Sequence, residues 1–133
     1  MTLEEAITEM TGALEQLTTE IPGLQITGYF NPQPTPPSID IYPADPFQEG
    51  AGFGVSQKKV AWTVRARVST ADPLSASQTL LRLLDVNDPA SVEAALQDVA
   101  AVPNDGTVSG FVRFTDDPSG DLLATQWRME MFV

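Results

Sequence analysis

Residues Val60 to Leu84, VAWTVRARVSTADPLSASQTLLRLL, join two different periodicities with almost no linker, and few folds accept that join. In the first part Val60, Trp62, Val64, Ala66 and Val68 fall on one face, with Thr63, Arg65 and Arg67 on the other. A period of two marks a half-buried strand. Ser69 to Ala71 then turn the chain, Asp72 can cap the following helix through its carboxylate, and Pro73 suits a first helical position, where no N–H is needed. Leu74, Ser77, Leu81 and Leu84 recur at helical spacing, and Leu80 and Leu83 widen the stripe. A strand feeding directly into an apolar helix that packs back on its sheet predicts an α+β fold.

The flanking segments extend that expectation. Thr2 and Glu5 have the spacing of a capping box, and Leu3, Ile7, Met10, Leu14 and Leu17 predict a helix ending near Thr19. Leu24 to Phe30 alternate as a first strand. Four prolines between Pro32 and Pro37 predict a stiff connector, and Ser38 to Tyr42 a short second strand closed by Pro43. Pro43 to Gln57, PADPFQEGAGFGVSQ, is expected to be a long mobile loop. Its phenylalanines Phe47 and Phe53 would anchor on another chain. Asn87-Asp88-Pro89 repeats the Asp-Pro start, and Val92, Ala95, Leu96 and Val99 predict a second, shorter helix after it. Thr107–Thr115 and Leu122–Val133 read as a hairpin of two strands. The expected order is α-β-β-β-α-α-β-β: one domain over residues 1–133, with a single mostly antiparallel sheet of about five strands and helices packed on one face.

Composition narrows the chemistry. The chain has 133 residues and no histidine, which removes the commonest general base and the commonest metal ligand together. It has no cysteine, which removes disulfides and thiolate chemistry. No serine sits in a G-x-S-x-G elbow, and GAGFG is followed by neither GK[ST] nor a helix start, so neither a nucleophile nor a phosphate loop is indicated. The acids Asp116, Asp117 and Asp121 lack the alternate spacing of a calcium loop. The expectation is no catalytic residue, no cofactor and no metal. MTLEEAITEM lacks the basic start and apolar core of a signal peptide, and no apolar run nears the ~20 residues of a membrane helix.

Charge is unevenly placed. The net charge is −11, yet residues 1–57 hold eight acids and no Lys or Arg, while all seven bases lie beyond them. Such a chain should repel nucleic acid, whose binding depends on Lys and Arg. If the three long strands share a sheet, Arg65, Arg67, Arg113 and Arg128 all lie on the face opposite Trp62 and Trp127. That face could receive the acids of a neighbouring copy, with Glu4, Glu5 and Glu9 or Asp45 and Glu49 as partners. Ordinary solvated arginines are the alternative.

Taken in sequence, the acidic leading helix, the strand after IPGL, the Pro-rich connector, the glycine-bearing loop before the central strand, the ADPLSASQTLLRLLD helix, the SVEAAL helix and the terminal tryptophan-bearing hairpin resemble the tail-terminator (tail-completion) proteins of long-tailed phages. The resemblance spans nearly the whole chain. It implies a hexameric ring in the virion that caps the tail tube, ends its polymerisation and joins tail to head through a head-side connector. DNA would pass through its bore without specific binding, and no active site would exist. Other phage neck proteins share this design, and a small acidic ligand-binding domain or enzyme is the rival from a different class.

Overall fold

A computed structural model describes residues 2–32, 35–50, 58–97, 107–114 and 122–132. The leading helix α1 (Leu3–Glu15) runs into a short 3-10 turn (Gln16–Thr19), followed by strands β1 (Gln25–Thr27), β2 (Ser38–Gly50) and β3 (Lys58–Ser69). Helices α2 (Pro73–Leu84) and α3 (Val92–Gln97) and strands β4 (Thr107–Phe114) and β5 (Leu122–Phe132) complete it. The five strands form one sheet in the order β1-β2-β3-β5-β4. β1 runs parallel to β2, and every other pairing is antiparallel. The architecture is α+β in the expected element order.

Local chemistry explains the helix starts. Thr2 Oγ1 accepts the Glu5 N–H at 3.1 Å, and Asp72 accepts the Ser75 N–H at 3.2 Å with Pro73 just inside. The second Asp-Pro behaves differently. Asp88 closes a turn by accepting the Ala90 N–H, and it is Ser91 that caps α3 by accepting the Ala94 N–H. The helix therefore begins three residues after Pro89, at Val92. Val99, expected on that helix, lies outside the described residues.

One face of the sheet carries the core. Ile39, Ile41, Val60, Trp62, Val64, Ala66, Val68, Leu123, Trp127 and Met129 bury there against Met10 and Leu14 of α1, Leu80 and Leu83 of α2 and Leu96 of α3. The pairing Val64↔Trp127 and Trp62↔Met129 places the two strands' apolar sets on the same side, as their alternation requires.

Three expectations change. Residues 43–50 belong to β2 and not to a loop: Pro43 pairs with Trp62, the register shifts between Pro43 and Gln48, and Gln48 to Gly50 pair with Val60 to Lys58. A bulge takes up the sequence that does not alternate. Pro43 is tolerated because β1 reaches only as far as Asp40, so β3 is its sole described neighbour. The remaining loop, 51–57 with Phe53, lies outside the described residues. β1 is shorter than expected, because Tyr29 to Asn31 leave the ladder and fold toward β2. In α2 the buried residues are Ala76, Leu80 and Leu83, whereas Leu74 and Leu81 are 68% and 62% exposed. The leucines of this helix offer two stripes at helical spacing. The stripe with Ala76 lets the helix approach β3 and β5 closely, and it is the one that packs.

Candidate functional site

The second face of the sheet, away from the helices, holds the polar groups. Register pairs Arg65 with Gln126, Thr63 with Arg128, and Arg67 with Ala124, which itself pairs with Arg113. The four arginines thus occupy one face, as strand alternation predicts. Their surroundings differ sharply. Arg67 is 2% exposed and donates from Nη2 to Asp40 Oδ2 at 3.0 Å, with Asp40 only 1% exposed. A guanidinium sealed in its own subunit does not reach a neighbour's acids, so Arg67 is corrected from contact residue to internal ion pair. Arg65 is half-buried, donates to Gln126 Oε1 at 3.0 Å and stacks over Tyr42 at 5.7 Å. Arg128 is about a third exposed and bonds Glu130 at 3.3 Å. Arg113 is placed by its register position alone.

Around the buried pair the chain builds a small aromatic cover. The backbone N–H of Asn31 donates to Asp40 Oδ2 at 3.2 Å, so the same oxygen serves both Arg67 and the strap that leaves β1. Phe30 meets Tyr42 edge-on at 5.1 Å and lies beneath the Arg67 guanidinium at 5.6 Å. Burial pushes the Asp40 carboxyl above its ordinary value, against the lowering effect of the Asn31 hydrogen bond and of Arg67. Tyr29 and Phe30 remain 64% and 50% exposed at the rim of this cover.

A second charged cluster ties the helix layer together. Arg82 of α2 donates to the Glu20 backbone carbonyl at 3.1 Å, to the Glu20 carboxylate at 3.2 Å and to both oxygens of Asp88 at 3.2 and 3.3 Å. The Ala90 N–H and Arg82 together hold the Asp88 carboxyl below its ordinary value, and the hydrogen bond to Asp88 raises Arg82. These bonds join the end of the 3-10 turn, α2 and the turn before α3, and they are spent on one another rather than aimed at a substrate.

An open cleft of about 390 Å³ lies between the Ile21-Pro22 turn, Pro36-Pro37 and the start of α2. Among the described residues Asp72 is the only ionisable one in its wall, and that carboxylate is occupied in capping Ser75. Among the described residues no group of three or more acids could hold a metal ion, and no helix is long and apolar enough to cross a membrane.

Of the other anticipated contact residues, Glu4, Glu5 and Glu9 are exposed on α1, together with Glu15. Asp45, Phe47 and Glu49 have backbone positions in β2. Phe53 lies outside the described residues. The sequence pattern misses Asp40, whose role depends on a partner 27 positions away, and Tyr29 and Phe30, which read as strand residues. No protein-family model matches the chain, and no curated protein is significantly similar to it.

Proposed function

We propose that this chain is a non-catalytic structural subunit of the phage tail-terminator kind, which assembles into a ring capping the tail tube and forming part of the head–tail joint. The observation that carries this reading is the uneven spread of charge over the two outer faces, with Glu130 beside Arg128 as an acid among the arginines. Exposed Glu4, Glu5, Glu9 and Glu15 lie on the helix layer, while Arg65 and Arg128 lie on the opposite face. A subunit with unlike outer faces suits head-to-tail contacts, and such contacts close into rings. The net charge of −11 would let DNA pass through a bore without adhering. The order of elements fits the same reading, since it follows the family-like features of the sequence. The tail-tube protein and a head-side connector are the proposed partners, and the virion neck is the proposed location.

A ligand-binding domain or an enzyme would need convergent polar groups in a pocket, whereas among the described residues the one ionisable group in the cleft beside α2, Asp72, is occupied in capping, with the hydroxyls of Ser69, Ser75 and Thr79 as the other polar side chains of its wall. The deciding experiment images the purified chain by negative stain, with and without tail-tube protein, and measures its mass in solution. Rings near six times the 14.3 kDa chain mass that seat on tube ends are expected. A chain that remains at 14.3 kDa and leaves tubes uncapped would refute the proposal.

A further inference from the structure

Among the described residues, the most exposed large apolar side chains fall into two separate groups. Leu74 (68%) and Leu81 (62%) lie seven residues apart on the outer side of α2, with Ser77 and Gln78 between them and Val86 (54%) in the turn beyond. Seven residues are two helical turns, so the leucines stand in one row about 10 Å long. Tyr29 (64%) and Phe30 (50%) form the other group, where Phe30 packs on Tyr42 on the far side of the sheet and Tyr29 precedes it in the same strap. The row on α2 has no acid within the helix but is bounded at its ends by exposed Asp72 and Asp85. The aromatic corner is bordered instead by Arg65, whose guanidinium lies over the same Tyr42 that Phe30 packs against.

We propose that the Leu74–Leu81 row is a docking surface and that its occupant is the Tyr29–Phe30 corner of a second copy of this chain. The proposal rests on the ring reading and adds to it the contact that would hold neighbouring subunits. Three observations favour a second copy. The two patches are unlike and sit on opposite outer faces, the arrangement that a head-to-tail interface requires and a two-fold one does not. An apolar row with acidic ends meets an aromatic corner with a basic border, giving a dry centre and a charge-matched rim. Finally, two chains of charge −11 repel across most of their surfaces, and α2 is a helix whose outer row presents none of that charge.

Sedimentation of three samples tests it: the wild type, the double variant Leu74→Ser/Leu81→Ser, and Tyr29→Glu. Far-UV circular dichroism and melting of the dilute proteins serve as fold controls. Each variant is expected to weaken self-association by about tenfold or more, since each loses one apolar partner, and the carboxylate introduced by Tyr29→Glu would also face the acids at the ends of the row. An equimolar mixture of the two variants is expected to form pairs of twice the 14.3 kDa chain mass, because each supplies the half that the other lacks. Should Tyr29→Glu assemble normally while the leucine variant does not, the row docks on its own copy and the proposed occupant is wrong. Wild-type rings that persist in both variants overturn this contact and leave the ring reading standing. A wild type that stays monomeric at every concentration overturns this contact, and if it also leaves tube ends uncapped the ring reading falls with it.

Discussion

The two faces of the sheet are built from the same strands and solve burial in opposite ways. On the helix side, Trp127, Met129, Val64 and Ile41 are sealed by apolar neighbours, and removing water from them is itself the driving force. On the other side, Arg67 and Asp40 are sealed just as completely, but each must be compensated for the water it has lost. The first face tolerates any residue of similar shape and hydrophobicity. The second depends on a particular pair and on the Asn31 strap, which shares Asp40 Oδ2 with Arg67 and leaves Asp40 Oδ1 and Arg67 Nε buried without a partner among the described residues.

Breaking each face separately makes the contrast measurable. The largest loss is expected from Trp127→Ala, about 3–5 kcal/mol, read as a lower midpoint in urea unfolding. Arg67→Met should cost about 3 kcal/mol at neutral pH, because it leaves the Asp40 carboxylate buried without its counter-charge. Adding Asp40→Leu should restore most of that loss, whereas no second change rescues Trp127→Ala so simply. The pH dependence of this variant sharpens the point. Burial raises the Asp40 carboxyl above 3.8, so the stability tied to its neutral form is complete below that value and is lost as pH rises through the folded-state value. The defect of Arg67→Met should therefore grow with pH, and a defect constant from acid to neutral pH would count against the buried charge.

Within one helix the comparison is closer still. Leu80→Ala is expected to cost about 2–5 kcal/mol, and Leu81→Ala, one residue on, no more than about 0.5 kcal/mol in the dilute monomer. Equal losses would mean that the outer row of α2 is covered in the free chain. The smallest effect belongs to the partly exposed Arg82 cluster. Asp88 is held below 3.8, so its contribution is present above that value and fades as pH falls through the folded-state value. Asp88→Asn should lower the urea midpoint slightly at neutral pH and leave it unchanged in strong acid, the reverse of the Arg67→Met trend.

Much of the fold is legible because its signals are local. The alternation of Val60–Val68 and Leu123–Met129, and the Asp72-Pro73 start, need only neighbours in sequence to be understood. What stays hidden depends on distant partners. Nothing near Asp40 announces Arg67. Nothing in PADPFQEG alternates, yet pairing with β3 keeps it extended. The α2 row is visible as a row but points inward on periodicity alone, since a leucine-rich helix does not say which stripe the sheet will choose. The arginine face is legible for the same reason as the core, by period two, although its most buried member proves to be internally paired. The functional reading rests on features of the chain as a whole, the spread of charge over its two outer faces and the order of its elements, and not on any one group of residues.

The brevity of β1 has a consequence for how this molecule avoids its own copies. Three residues of β1 shield only the first three of β2, Ser38 to Asp40, and the strand then continues for ten more with no described strand on that flank. A margin of that length is an invitation to indiscriminate stacking, strand on strand, of the kind that ends in fibres. Pro43 and Pro46 interrupt it, because neither has an N–H to offer an incoming chain, and the bulge between Pro43 and Gln48 spoils the spacing that remains. The proline pair that disguises the strand in the sequence also keeps its rim from templating another.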